Sequence, residues 1–323
     1  MTLRAALLDV PQPDAATWRG LNPLVRWLIA CRASVLPLTL SACLFAGLLA
    51  RPSDAATVLL LLVVTLALLL AHATNNLLND HVDYATGLDR DNYFRARYGA
   101  QPLSQGLMSV ARHRRLLLAT GAGALALGLV VCARVGGAAF LLAAGGAAIL
   151  LFYTWPLKRW ALGELAVLVV WGPLMVGGVY WVLTGALPAA VLWLATLYGL
   201  GPTVVILAKH TDKLADDRAR GVKTLPVLLG EPVSRHLIAA LAVLSLGGAA
   251  AWAFWQGAWW YLLALGASPA LVRLLRVLGH TRPADRPEGF PDNVWPLWYA
   301  AEGFRFARLA GALLVLAALA EAI

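Results

Sequence analysis

Two short segments of the chain carry the side chains that can bind a cation and a polyanion together. The first runs from Asn75 to Asp91 and the second from Lys209 to Asp217, and each follows a long apolar run. Carboxylates at the end of a membrane-spanning helix are costly and are usually retained for function. Two such segments facing each other predict a site in which divalent metal ions bridge carboxylates and a diphosphate.

The first segment has the spacing of one face of a continuing helix. Asp80 and Asp83 are three residues apart, and Asn76 lies one turn before Asp80, so these side chains share a face. Such oxygen ligands suit Mg²⁺, which uses one or two carboxylates and completes its shell with water and substrate phosphate. We expect Gly87 to break the helix, so that Asp89 folds back toward the same metal.

The second segment offers a similar pair of carboxylates. Asp212 and Asp216 are four residues apart, which places them one turn apart on one helical face. We expect both to bind metal and diphosphate. Asp217 is expected to point elsewhere, into solvent. Lys209 lies three residues before Asp212, so this face is mixed in charge.

Three cations are candidates for binding the phosphate oxygens of the same ligand. Arg97 follows the first segment, Lys209 lies in the second, and Lys223 follows a glycine, Gly221. Such cations stabilise bound phosphate, and arginine forks match its geometry. The alternative for each is ordinary charge that orients a membrane protein. His210 could act as a base, although a lone histidine at such a position is more often structural.

The composition predicts an all-α integral membrane protein. Of 323 residues, 60% are apolar and 13% are charged, whereas soluble domains carry about 25% charged residues. The mean hydropathy is +0.73. We interpret 1–323 as a single transmembrane domain. Apolar runs of roughly 17–25 residues predict nine spans, at 28–50, 55–74, 115–134, 136–154, 161–184, 188–208, 235–255, 257–275 and 300–321.

The basic residues are distributed as in a membrane protein and not as in a nucleic-acid-binding protein. The net charge is +9, yet with these spans only Arg51 and Arg134 fall at the odd-to-even connections. The other 24 of the 26 Lys and Arg lie in the N-terminal segment, in the even-to-odd connections or in the half of a span that adjoins them. This asymmetry places the N-terminal segment 1–21 and both acidic segments in the cytoplasm. We therefore expect a multi-pass protein of the cell membrane with no nucleic-acid partner.

Three motifs follow one another in a fixed order along the chain. They are Asn79-Asp80-x-x-Asp83-x5-Asp89 with Arg97-x-Gly99-x-x-Pro102, then Trp171-Gly172-Pro173 in the fifth predicted span, and last Asp212-x3-Asp216 with Gly221-x-Lys223-Thr224-Leu225. In type and order they resemble the UbiA-type superfamily of intramembrane prenyltransferases, and most of all its 1,4-dihydroxy-2-naphthoate polyprenyltransferase branch. The resemblance covers roughly residues 20–320.

The resemblance implies a fold, a reaction and a cofactor. The fold is nine transmembrane helices around a central cavity that opens sideways to the lipid bilayer. The reaction transfers a polyprenyl group from an isoprenoid diphosphate to an aromatic acceptor, 1,4-dihydroxy-2-naphthoate or a related compound. The implied cofactor is Mg²⁺, bound with the diphosphate by Asp80, Asp83, Asp89, Asp212 and Asp216.

The allylic cation formed in such a reaction needs a dry cavity lined by aromatic rings. Candidates for this pocket and for the acceptor site are Tyr153, Tyr180, Trp181 and His210. Packing or anchoring at the membrane interface is the alternative role for the aromatic residues.

Two other functions stay open at this point. A UbiA-type terpene cyclase would carry similar metal motifs but quench the cation internally, without an acceptor. A non-enzymatic lipid transporter would need charged residues near the middle of the bilayer, whereas the charges here are predicted at the ends of the spans. Product analysis separates the first alternative, and release of diphosphate separates the second.

Overall fold

The computed structural model describes residues 3–87, 94, 98–153 and 156–323. These residues contain helices and no strand. In chain order the main helices are α1 (Leu3–Leu8), α2 (Ala15–Gly20), α3 (Pro23–Ala30), α4 (Ala33–Ala50), α5 (Ala55–Ala85), α6 (Val110–Val135), α7 (Gly137–Phe152), α8 (Gly163–Thr184), α9 (Ala189–Asp212), α10 (Leu214–Ala219), α11 (Leu225–Leu229), α12 (Glu231–Gln256), α13 (Trp259–Leu278) and α14 (Trp298–Ala322).

Eight of these helices are long and apolar enough to cross a membrane: α4, α5, α6, α8, α9, α12, α13 and α14. The predicted all-helical membrane fold is confirmed. The count of nine is approximate, because α7 has only 16 residues. A helix of that length extends about 24 Å, which is shorter than a hydrocarbon core of about 30 Å.

Helix α5 continues beyond the predicted span 55–74 to Ala85, and Gly87 then turns the chain with a φ of 71°, as the spacing of the polar residues predicted. One boundary moves for a local reason. The first span begins at Ala33 and not at 28, because Arg32 adopts the left-handed conformation (φ 55°, ψ 52°) and separates α3 from α4. That conformation is uncommon for a residue with a side chain.

Helix α9 is the central element of the bundle. In its most apolar stretch 67% of the residues are buried, against 11% in α5. It approaches α8 closely because both helices carry glycine at the contact. A Cβ on Gly172 would lie 2.8 Å from the carbonyl oxygen of Ala195, and one on Gly199 would lie 3.0 Å from the Gly172 nitrogen. Small residues at such crossings let membrane helices pack backbone to backbone.

Helix α8 is not a regular α-helix along its whole length. Residues Val170–Gly177 form a π-helical stretch that contains Pro173. Proline cannot donate the backbone hydrogen bond of a helix interior, and wider turns of this kind occur frequently at functional sites. The stretch places Trp171, Leu174 and Met175 on the wall of the central cavity.

The N-terminal segment and the proline-rich connection between α13 and α14 cover the end of the bundle that carries the acidic segments. Val10, Phe94, Tyr98 and Leu297 form a small hydrophobic cluster there. The amide of Asn293 donates a hydrogen bond to the backbone carbonyl of Val10 over 3.2 Å. These contacts close one end of the cavity between the helices.

Candidate active site

A cavity of about 2010 Å³ runs through the bundle. It extends from Pro287 and Phe290, in the connection between α13 and α14, to Cys132 near the far end of α6. Most of its wall is apolar and comes from α5, α6, α7, α8, α9 and α14. Ordinary ligand pockets measure roughly 300–1,000 Å³, so this cavity has room for a long hydrocarbon chain beside a second molecule.

The polar ends of α5 and α9 both contribute to the wall of this cavity. From the two predicted segments, the residues on the wall are Asn75, Asn76, Asn79, Asp83, Lys209, His210 and Lys213. The structure therefore brings carboxylate and amide groups from α5 to the same cavity as two lysines from α9. Oxygen ligands and cations around one space can bind a metal ion and a polyanion together.

Asp80 is buried against a residue that the sequence analysis did not select. Its Oδ1 forms an ion pair with Arg32, while its Oδ2 is buried with no hydrogen-bond partner among the described residues. Burial lowers the pKa of Arg32, but the neighbouring Asp80, Tyr98 and Asp83 raise it by more, so the guanidinium stays charged. The carbonyl of Cys31 accepts a hydrogen bond from Asn76 over 2.9 Å. The bend at Arg32 is thus bonded to the face of α5 that carries the acids.

Asp83 lines the cavity directly. The amide of Asn79 donates a hydrogen bond to its Oδ2 over 3.0 Å. Nearby on the same helix, Asp80 Oδ2 and Asn75 Oδ1 are buried oxygens without partners. Such oxygens fit a hard divalent cation. Within the described ranges no three His, Cys, Asp or Glu side chains can enclose a metal by themselves, so water and phosphate oxygens would have to complete its shell.

Asp212 has partners that the sequence did not indicate. The backbone N–H groups of Tyr299 and Ala300 donate to its Oδ1 and Oδ2 over 2.9 Å each. The first N–H groups of a helix lack intrahelical partners, and the positive end of the helix dipole also stabilises a carboxylate placed there. Asp212 does not line the cavity in the described part of the chain. Its carboxylate fastens the first turn of α14 to the end of α9.

The expectation that Asp217 is solvated is wrong. Asp217 is fully buried and accepts a hydrogen bond from Lys213 Nζ over 2.9 Å, with the Thr224 hydroxyl 3.4 Å from its other oxygen. The reason is a break in the helix. Helix α9 ends at Asp212 and α10 begins at Leu214, so a spacing of four does not put Asp216 below Asp212. Asp216 is half-buried and, among the described residues, lies off the cavity wall.

His210 is held by a buried carboxylate. Its Nδ1 lies 2.5 Å from Glu164 Oε1, and both side chains are buried. Glu164 lies in the first turn of α8, so this contact ties α8 to α9 beside the cavity. The bond fixes the orientation of an imidazole that reaches the cavity wall.

The remaining predicted residues fall into three groups. Tyr153 lines the cavity, whereas Tyr180 and Trp181 lie farther along α8 and are not on the wall formed by the described residues. Lys223 is exposed and also lies off that wall. Asp89 and Arg97 lie outside the described residues.

Arg32 and His72 are two of the wall residues that sequence reasoning missed. Arg32 carried a signal, because it lies inside the predicted span 28–50. His72 also carried a signal, because it is the one histidine inside the predicted span 55–74, and ionisable side chains within spans are functional candidates by default.

Comparison with known proteins identifies the relatives of this chain. The model of the UbiA prenyltransferase family matches residues 39–290. The chain is 30% identical over 260 residues to 1,4-dihydroxy-2-naphthoate octaprenyltransferase of Escherichia coli strain K12, covering 77% of this chain and 83% of that protein. It is 28% identical over 229 residues to the zebrafish UbiA prenyltransferase domain-containing protein 1, covering 70% and 65%.

Solved structures share the fold at low sequence identity. A UbiA homologue from Aeropyrum pernix K1 is similar with a TM-score of 0.59 and 18% identity, over 90% of this chain and 98% of that one. A homologue from Archaeoglobus fulgidus, bound to GPP and Mg²⁺, gives a TM-score of 0.52 and 16% identity, over 91% and 98%. The family match, which covers more than half of the chain, decides the assignment: the chain belongs to the UbiA prenyltransferase family.

Proposed function

We propose that this protein transfers a polyprenyl group from an isoprenoid diphosphate to 1,4-dihydroxy-2-naphthoate or a related aromatic acceptor. The observation that carries the proposal is the cavity, which has acids, amides and lysines at one end and an apolar wall along the rest. The name of the Escherichia coli relative supports the acceptor class. The GPP and Mg²⁺ in the Archaeoglobus fulgidus homologue support the donor and the metal.

In this proposal the metal binds on α5. Asp80 and Asp83, with Asp89 from the connection that follows, would hold Mg²⁺, and Asn76 and Asn79 would hydrogen-bond phosphate or metal-bound water. When bound, Mg²⁺ neutralises charge that develops on the leaving diphosphate. Asp80 lies off the cavity wall but is kept because its Oδ2 is buried without a partner among the described residues. Asp212 is left out of the ligand set because both of its oxygens accept backbone hydrogen bonds, and Asp216 because it follows the break between α9 and α10.

The lysines of α9 hold the diphosphate from the other side. Lys209 and Lys213 reach the cavity wall, where ammonium groups stabilise phosphate oxygens most strongly as the carbon–oxygen bond breaks. Arg97 and Lys223 join them from the connecting loops. Lys223 follows Gly221, whose φ of 67° turns the chain there, and in this proposal the loop folds over the bound ligand.

Prenyl transfer requires a cavity from which water is excluded. The bond between C1 of the prenyl chain and the diphosphate oxygen breaks, and its electron pair leaves with diphosphate. A ring carbon of the acceptor forms the new bond to C1. The ring regains aromaticity when that carbon loses its proton to water or to the diphosphate, or loses its carboxylate as CO₂, with the electron pair of the broken bond returning to the ring. The apolar wall keeps water from the allylic cation, and the rings of Tyr153 and Trp171 on that wall stabilise it through their π faces.

We further propose that the end of the bundle with both acidic segments faces the cytoplasm of the cell that makes the protein. This orientation rests on the asymmetry of Lys and Arg along the chain. It would place the diphosphate site on the side where soluble diphosphates are made and released.

Mass spectrometry of lipid products tests the function. Purified protein in lipid nanodiscs receives Mg²⁺, a series of polyprenyl diphosphates and a panel of aromatic acceptors. The expected product is a prenylated naphthalene, formed only when donor and acceptor are both present. Cyclised hydrocarbon from the donor alone would show a terpene cyclase instead. Absence of both diphosphate release and new lipid would overturn an enzymatic function.

A further inference from the structure

His72 lies on the cavity wall beyond the acidic end of the site. It precedes Asn76 by four residues on α5, so the two side chains share a face and are separated by about 6 Å along the helix axis. An imidazole at this place lies within the apolar part of a span, where polar side chains are expensive and are retained for function. The arrangement of its neighbours shows which function fits.

The imidazole of His72 is fixed by two other helices. Its Nδ1 lies 2.8 Å from the Thr39 hydroxyl of α4. The Trp171 ring, in the π-helical stretch of α8, stands at 87° to it with ring centroids 5.4 Å apart. Its Nε2 has no hydrogen-bond partner among the described residues, and the half-buried ring lines the cavity. One nitrogen is therefore used by the protein, and the other is left for a ligand.

A hydrocarbon chain does not satisfy this nitrogen. Burying a polar group under a ligand that offers it no hydrogen bond costs free energy. A prenyl chain lying over His72 would therefore bind poorly. The acceptor must place its reacting carbon roughly 3–3.5 Å from C1 of the donor, and C1 adjoins the diphosphate between α5 and α9. A hydroxylated aromatic ring at that position extends toward His72, and Trp171 offers its ring a stacking or edge contact.

We infer that His72 binds a ring hydroxyl of the aromatic acceptor and thereby sets acceptor specificity, with Trp171 flanking the ring. This inference rests on the proposed function. Thr39 orients the imidazole from behind. The alternative is a structural role, in which the Thr39–His72 bond only ties α4 to α5. A structural role changes stability and affects donor and acceptor alike, whereas an acceptor-binding role affects the acceptor selectively.

The test compares His72→Leu and His72→Gln with the wild-type protein in nanodiscs. Acceptor KM, donor KM and thermal stability are measured with 1,4-dihydroxy-2-naphthoate and with its two mono-methyl ethers, in which one hydroxyl is blocked. His236→Leu is the matched control, because His236 is exposed and bonds only to its own helix at Pro232. We expect His72→Leu to raise the acceptor KM at least tenfold with donor KM unchanged.

The expected pattern has two further parts. One methyl ether should be a poor acceptor for the wild-type protein, and His72→Leu should remove most of that discrimination. His72→Gln, which keeps a hydrogen-bonding group, should retain part of it and provides the comparison if the leucine variant does not fold. Equal changes in donor and acceptor KM would overturn the inference about His72, as would unchanged discrimination between the two methyl ethers in both variants. Neither result would contradict the proposed function. A wild-type protein that prenylates no aromatic acceptor would overturn the proposed function itself.

Discussion

Lys213 and Asp217 form a buried ion pair across the break between α9 and α10, with Lys213 Nζ 2.9 Å from Asp217 Oδ1. Lys213 also reaches the cavity wall. The pair therefore has a structural side, the neutralisation of a buried carboxylate, and a functional side, a cation at the diphosphate site. The two roles can be separated by experiment.

Lys213→Met should lower both stability and donor affinity. Removing one partner of a buried ion pair leaves an uncompensated charge and costs about 3–5 kcal/mol. In the double variant Lys213→Met with Asp217→Leu, both charges are absent, so most of the stability should return while the donor KM stays high. Thermal unfolding in nanodiscs and donor titrations measure the two effects. Recovery of donor affinity together with stability would reduce Lys213 to a structural residue.

Asp83 and Asp212 should respond differently to the same substitution. Asp83→Asn should abolish turnover with little loss of stability, because this carboxylate faces the cavity. Asp212→Asn should instead lower the melting temperature, because an amide has only one oxygen and leaves one of the two backbone N–H groups of Tyr299 and Ala300 without an acceptor, which costs about 1–3 kcal/mol. Its remaining activity should show the wild-type dependence on Mg²⁺. A raised Mg²⁺ requirement in Asp212→Asn would return this residue to the metal site.

Chelation of divalent metal should stop prenyl transfer, and Mg²⁺ should restore it. The proposed ligands on α5 predict that Asp80→Asn raises the Mg²⁺ concentration for half-maximal rate by an order of magnitude or more, about 1.4 kcal/mol. Asp292→Asn is the control, because Asp292 is exposed, pairs with Arg286 and lies off the cavity wall formed by the described residues. Metal binding measured by calorimetry in the absence of donor checks the same shift without activity. Equal metal affinity in Asp80→Asn and wild type would refute the assignment.

Arg32→Gln should weaken donor binding and remove the ion-pair partner of the Asp80 carboxylate. Arg32 is the ion-pair partner of that carboxylate, and the neighbouring acids raise its pKa, so the guanidinium stays charged. Without it, Asp80 and Asp83 repel each other more strongly in the metal-free protein. We expect tighter Mg²⁺ binding, lower stability without Mg²⁺ and a higher donor KM. Identical metal affinity in variant and wild type would show that Arg32 does not act through Asp80.

The orientation of the bundle can be tested by reporter fusions. Fusions after residues 86 and 215 should both report the cytoplasm, and a fusion after residue 186 should report the opposite side. Residue 86 follows α5 and residue 215 lies in α10 just after α9, whereas 186 lies between α8 and α9. A fusion at 215 that reports the outer side would overturn the orientation.

Hydropathy was sufficient to predict eight of the nine spans, because each long apolar run must be buried in lipid or in the bundle. The placement of Asn76, Asp80 and Asp83 on one helix was also predictable, since no break interrupts α5 between them. The second segment was harder. Its interpretation assumed that α9 continues through residue 216, whereas the helix ends at Asp212.

The partners of Asp212 could not be found from local spacing, because its hydrogen bonds reach 87 and 88 residues along the chain. The contact of Arg32 could not be predicted for a related reason. Arg32 contacts Asp80, 48 residues later in the chain, because the backbone bends in a left-handed conformation at a position where the sequence has no glycine. Long-range contacts of polar side chains are set by tertiary packing, which a pattern of residue types does not contain.

The bond between Asp212 and the start of α14 also has a consequence for how the protein is made. A ribosome releases residues in order, so the Asp212 carboxylate emerges 87 residues before the amide of Tyr299 that pairs with it. During that interval α9 carries a carboxylate whose partners do not yet exist. Packing of α14 against the end of α9 supplies the two backbone N–H groups that this carboxylate accepts from. A chain interrupted before α14 would leave the buried Asp212 carboxylate without them, which is destabilising, so we expect such a truncated chain to be less stable in the membrane than the full chain.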